Sequence, residues 1–175
     1  MRHLAIFLIM VSTLIPAIAA DTAQPKPLDQ LKWMAGSWEA QEGSGADVET
    51  VKLKAWLSPN GQAIFYHVDV IDGNKVTPRY DGMYYWQPVT KSIVLRQVAI
   101  TGGASEGEYV QNGDHATQKV RVLNPDGTTS FIDADMTISS DKFHFVGKFK
   151  AAEGKDWIPA VDVTYHRVPA DSPAK

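Results

Sequence analysis

Tyrosine is the residue type that repeats in a pattern able to hold a ligand. In "AIFYHVDVI" Tyr66 falls in phase with Ile64, Val68 and Val70, and in "TPRYDGMYYWQP" Tyr80, Tyr84 and Trp86 share one phase. "DKFHFVGKFK" sets Phe143, Phe145 and Phe149 against Lys142, His144, Lys148 and Lys150. Side chains two apart on a strand share a face, so these rings line one side of their strands. Core packing accounts for most of them. Each buried hydroxyl wants a hydrogen-bond partner, however, and four tyrosines in one interior (Tyr66, Tyr80, Tyr84 and Tyr165) exceed what packing needs. An apolar surface carrying a few phenol hydroxyls is the usual make-up of a small-molecule pocket. Arg79 and Arg96, if they stand near an open end, would attract an anionic group on the ligand.

Other chemistries lack their residues. There is no Cys, hence no thiol nucleophile, no thiolate metal site and no disulfide. HxxxH, HExxH and HxH are all missing. His67 and Asp69 share a strand face without an identifiable third ligand, so no metal site is expected. Ser105 in "TGGASEGEY" is not in the Gly-x-Ser-x-Gly context of a nucleophile elbow, and "NPDGT" reads as a turn. Asp133 and Asp135 share an outward face, where solvated carboxylates are the rule. His67 shares its face with Asp69 and looks outward, His144 falls among lysines and looks outward too, and His115 falls in the loop "NGDHA".

The elements that must position the tyrosines are almost all strands. Residues 1–20 read as a secretory signal: Arg2, then the apolar run "LAIFLIMVSTLI", then "PAIAA". Residues 21–27 form a polar lead-in. "LDQLKWMA" is a short helical stretch stopped by Gly36, with Leu28, Leu31 and Met34 or Ala35 on one face. From Ser37 onward the period is two, with turn signals every 8 to 14 residues. Gly82 is a candidate bulge, and "TGGASEG" is taken as a Gly-rich turn. Eight to ten strands in short-loop succession, with no βαβ alternation, point to an antiparallel up-and-down barrel over residues 28–168 and a flexible tail at 169–175. A sandwich is the main alternative.

Without the signal the chain keeps 16 basic against 20 acidic side chains. That mild acidity, with no basic stripe, argues against nucleic acid and anionic membrane surfaces. No second apolar run follows the first, so no membrane insertion is expected after signal removal. The destination is the periplasm or the exterior.

"LKWMAGSWEA", "RYDGMYYWQPVTKSIVLRQ" and "VTYHR" together resemble exported bacterial lipocalin-like domains of the calycin superfamily, related in fold to nitrobindin-type proteins. The resemblance spans about residues 28–168. It implies a barrel end built from Trp33 as plug, Gly36 as hinge and Trp38 as floor, with Arg167 lying across the Trp38 ring. If Arg167 faces in, so do Tyr165, Val163 and Val161, and His166 faces out. Relatives of this type can hold haem through an inward His. None is evident here, so no cofactor is expected, haem being the one that the resemblance would allow. The expected role is binding of a small hydrophobic or aromatic ligand by Tyr66, Tyr80, Tyr84, Trp86, Phe145, Tyr165, Arg79 and Arg96. An isomerase or dehydratase of the same fold, or a solid-cored envelope protein, are the alternatives. Ligand identity and oligomeric state are not legible.

Overall fold

The structure, a computed structural model, describes residues 27–43 and 48–169 of the chain. The expected signal at 1–20, residues 21–26 of the lead-in and 170–175 of the tail lie outside the described residues.

The helical stretch is a 3-10 helix, Pro27–Met34. Its buried residues Leu28, Leu31 and Met34 are spaced by three, which is the repeat of a three-residue turn, so they stack on one side. Ten strands follow: β1 (Gly36–Glu42), β2 (Glu49–Leu57), β3 (Ala63–Asp72), β4 (Lys75–Gln87), β5 (Ser92–Ala99), β6 (Ala104–Asn112), β7 (His115–Leu123), β8 (Thr129–Ile138), β9 (Lys142–Lys150) and β10 (Ile158–Val168). Each pairs antiparallel with its neighbours in sequence, and β10 pairs with β1, closing the barrel. The β1–β10 seam is paired over Ser37–Glu39 against His166–Val168, and there it removes the edges that an open sheet would leave. The sandwich alternative is thereby ruled out.

Inward positions carry the core. Ile64, Tyr66, Val68 and Val70 of β3 are all buried, as are Ala134 and Met136 of β8. β6 departs from the sequence reading, because it begins inside the segment taken as a turn. Its alternation is real, but the inward residues are Ser105, Gly107, Tyr109 and Gln111 and the outward Val110 is exposed, so hydrophobicity does not reveal it. Gly107 is small for a reason: a Cβ there would run into the Lys119 carbonyl and Val120 on β7. His115 is the first residue of β7 rather than a loop residue. Gly82 is not a bulge. The register shift in this region lies between Val68 and Asp69, opposite Pro78 and Tyr80, so Arg79 is the extra residue.

The barrel end beside the helix is closed by the expected residues. Trp38, fully buried, pairs across the β1–β10 seam with Arg167. The guanidinium carbon of Arg167 stands 4.0 Å from the Trp38 ring centroid. Its nitrogens donate to the carbonyls of Trp33 (2.6 Å), Ala35 (2.9 Å) and Ser140 (3.1 Å). Trp38 Nε1 donates to the Met34 carbonyl at 2.8 Å. Trp33, Trp38 and Phe143 meet edge to face, with centroids 5.1–5.9 Å apart. Gly36 has φ +132°, and a Cβ at this position would fall on Arg167 Nη1. The glycine of Gly-x-Trp is therefore required twice, by backbone conformation and by space for the guanidinium.

Gly36→Ala is expected to lose about 1–3 kcal/mol, from strain and a displaced Arg167. Arg167→Ala should lose a similar amount, combining a cation–π contact with hydrogen bonds to carbonyls. Arg167→Lys should recover only part, since one ammonium cannot cover a ring and reach three carbonyls. Urea denaturation of the three variants checks the order.

Candidate functional site

The barrel interior is not filled. A cavity of about 350 Å³ lies between the helix plug and the opposite end. Met34 and Phe143 line it towards the plug, while Glu42, Arg79 and Phe149 line it towards the mouth. Of the expected ligand residues, Tyr66, Tyr80, Tyr84, Phe145, Tyr165 and Arg79 come together there.

Two expected residues do not. Arg96 points away from the interior and forms an ion pair with Glu106 at 3.1 Å on the outer surface. Its neighbours Leu95 and Gln97 line the cavity, so alternation sends Arg96 outward. Trp86 is inward in phase and packs against the core, but it lies one inward step nearer the closed end than Tyr84 and does not line the cavity.

Arg79 reaches the interior through the bulge. With Gly82 and Tyr80 facing in, strict alternation would turn Arg79 out. The extra residue in β4 breaks the alternation, so Arg79 and Tyr80 both line the cavity. Pro78 sits at the same irregularity, where a missing N–H costs the ladder least. Arg79 Nη1 donates to Glu42 Oε2 at 2.5 Å and Nη2 to Glu49 at 3.4 Å.

Three of the phenols, Tyr66, Tyr84 and Tyr109, are each held by a glutamine. Tyr66 donates to Gln97 Oε1 at 2.6 Å. Gln118 Nε2 donates to the Tyr84 hydroxyl. Tyr109 donates at 2.6 Å to Gln111 Oε1, which also accepts from Trp33 Nε1 at 3.2 Å. The rings form a stair, with Tyr66 to Tyr84 at 5.6 Å and Tyr84 to Tyr109 at 5.5 Å. Tyr165 stacks on Phe143 at 4.6 Å. Gly82 makes room for the stair, since a Cβ there would collide with the Tyr66 phenol.

Burial is the first cause of the shift at every one of these phenols. Tyr66 is raised well above the ordinary phenol value, with the fields of Tyr84 and Tyr80 adding to burial. Tyr84 and Tyr109 are raised strongly as well. Tyr165 is pushed up to about 12, with Glu42 adding to burial and Arg79 opposing it. None of the four supplies a phenolate near neutral pH, which leaves them as neutral hydrogen-bond groups and ring faces.

The described histidines stand outside the cavity. His67 bridges Asp81 (2.7 Å) and Asp69 (2.9 Å), and His144 bonds Asp162 (2.6 Å). The hydrogen bond to Asp81 leads in raising the His67 pKa, opposed by partial burial and aided by Asp69. His115 and His166 are exposed. None of the four lines the cavity, so these residues do not fit an axial ligand for haem held inside. Among the described residues no group of three or more His, Asp or Glu is placed to hold a metal ion.

Sequence reasoning missed Tyr109, Glu42 and the glutamines. Gln97 and Gln118 carry a readable signal, being polar residues in phase with Ile93 and Leu95 and with Ala116 and Val120. Glu42 lies two inward steps from Trp38.

No family model matches the chain, and no curated protein matches it. Among solved structures, the crystal structure of Rv2717c from M. tuberculosis is similar, with a TM-score of 0.57 and 14% sequence identity over 81% of this chain and 97% of that one. At that identity the likeness concerns the ten-strand barrel alone.

Alkaline titration tests the interior. Four of the six tyrosines have raised pKa values in the folded state, so the fold holds protons there that the open chain gives up above about pH 10. Their contribution to stability is complete below that pH and is lost as pH rises through the folded values. Absorbance at 295 nm is expected to show these four ionising late, together with unfolding followed by circular dichroism.

Proposed function

We propose that this protein is an exported lipocalin-like barrel of the calycin type that binds a small apolar or aromatic molecule inside the barrel. The observation that carries the reading is the cavity of about 350 Å³, walled by aromatic rings and by four tyrosines, two of which, Tyr66 and Tyr84, have their hydroxyls engaged by glutamines. Its size falls at the lower end of pockets that enclose small molecules, roughly 300–1,000 Å³. A few fixed polar groups in an apolar wall orient a ligand without adding charge to a desolvated site. Export is read from the signal-like segment at residues 1–20, and places the binding event in the periplasm or outside the cell.

The isomerase or dehydratase reading requires an arginine within hydrogen-bond reach of Tyr66 or Tyr84. Gln97 and Gln118 take those hydroxyls, and Arg79 is engaged by Glu42 and Glu49. A solid-cored envelope protein would have no use for an unfilled interior, which leaves carriage or sensing of a ligand as the better account.

Native mass spectrometry of protein purified from its own extracellular or periplasmic compartment tests the reading. A reproducible added mass, lost on denaturation and identified as a small organic molecule, is the expected result. Bare protein, together with no binding from a panel of aromatic and aliphatic compounds, would overturn it. A Soret band in the same preparation would replace the proposed ligand with haem.

A further inference from the structure

The charge of the ligand can be read at the cavity mouth. Glu42 lines the cavity beside Arg79, Tyr80 and Tyr165. The guanidinium of Arg79 is shared between two carboxylates, Glu42 and Glu49, so one cation serves two anions. Asp72 and Lys75 flank the same rim on its outer side. Among these five side chains, three carboxylates stand against two cations. Glu42 Oε1 has no hydrogen-bond partner among the described residues, whereas both terminal nitrogens of Arg79 are engaged.

An anion approaching Arg79 would have to displace Glu42 or sit against it, and a carboxylate beside a carboxylate is repelled. A cation would meet a carboxylate oxygen and the negative faces of aromatic rings, which attract ammonium groups. Tyr80 and Tyr165 share the electrostatic environment of Glu42 and Arg79. Deeper in, the wall of Tyr66, Tyr84 and Phe145 suits an apolar body. The pairing of Arg79 with Glu42 therefore reverses the simplest reading of an inward arginine, which is attraction of an anion.

We propose that the cavity takes an organic amine, bound as its ammonium ion, with the charged head between Glu42 and the rings of Tyr80 and Tyr165 and the apolar body in the barrel. Glu42 sets the charge preference. This rests on the ligand-binding reading above and narrows it to one charge class.

Three probes sharing one ring system separate the possibilities: 2-naphthylmethylammonium, 2-naphthylmethanol and 2-naphthoate, each titrated into the full chain by calorimetry near neutral pH. The ammonium is expected to bind at least about tenfold more tightly than the carboxylate, the alcohol falling between, which is the scale of one cation–ring contact together with a neighbouring carboxylate. Glu42→Gln should bring that ratio close to one, chiefly by weakening the ammonium. Glu49→Gln, which alters a carboxylate outside the cavity wall, should reduce the ratio less. Raising salt should weaken the ammonium and not the alcohol, a readout that holds if Glu42→Gln fails to fold. Tightest binding of naphthoate, or equal binding of all three, would overturn the amine proposal while leaving a ligand-binding barrel intact. Binding of none would overturn the amine proposal, and together with bare protein in the native mass spectrum and no binding from the wider panel it would overturn the ligand-binding reading as well.

Discussion

Arg167 over Trp38 is the contact on which the rest of the barrel depends. It joins the last strand to the first, and through the carbonyls of Trp33 and Ala35 it joins both to the helix plug. Trp38 is fully buried, and its polar Nε1 is satisfied by the Met34 carbonyl at the last residue of the plug. Once Trp38 faces in, the two-residue repeat carries Ala40 and then Glu42 to the interior along β1. The same repeat carries Tyr165, Val163 and Val161 inward along β10. The floor thus determines which residue stands at the mouth.

The interior combines two demands that ordinarily conflict. An unfilled barrel must keep its wall apolar, yet this one buries tyrosines and glutamines. The conflict is met by pairing them across strands, Tyr66 on β3 with Gln97 on β5 and Tyr84 on β4 with Gln118 on β7. No buried side-chain nitrogen or oxygen among the described residues lacks a partner. A satisfied polar network is stiff, and removing one member strands the other at a cost of about 1–3 kcal/mol. The glycines at 82 and 107 serve the same arrangement, by giving way to the Tyr66 ring and to the β7 backbone.

The strands and the short helix were legible because alternation and a helical repeat are local patterns, whereas the plug and the floor were implied by the resemblance that Gly-x-Trp and a terminal Arg carry. What was not legible rests on contacts between strands. β6 was hidden because its inward side chains are Ser, Gly, Tyr and Gln, so its alternation carries no hydrophobic contrast. Arg96 was misplaced because Ile93, Val94 and Leu95 are all buried, and three buried neighbours in a row conceal the phase. Arg79 faces the cavity as expected, but through a bulge that no periodicity announces, and its two glutamate partners come from β1 and β2. The charge of the mouth could not be read from Arg79 alone.

The claim that the barrel is hollow and takes its ligand inside can be tested with the methionines. Met34 and Met136 line the cavity, whereas Met83 belongs to the outer face beside Trp56 and Phe65. In protein carrying 13C-methyl methionine, titration with 2-naphthylmethanol followed by NMR should move the Met34 and Met136 methyl signals together and leave Met83 in place. Movement of Met83 alone, or a methyl spectrum unchanged at saturating probe, would contradict the account.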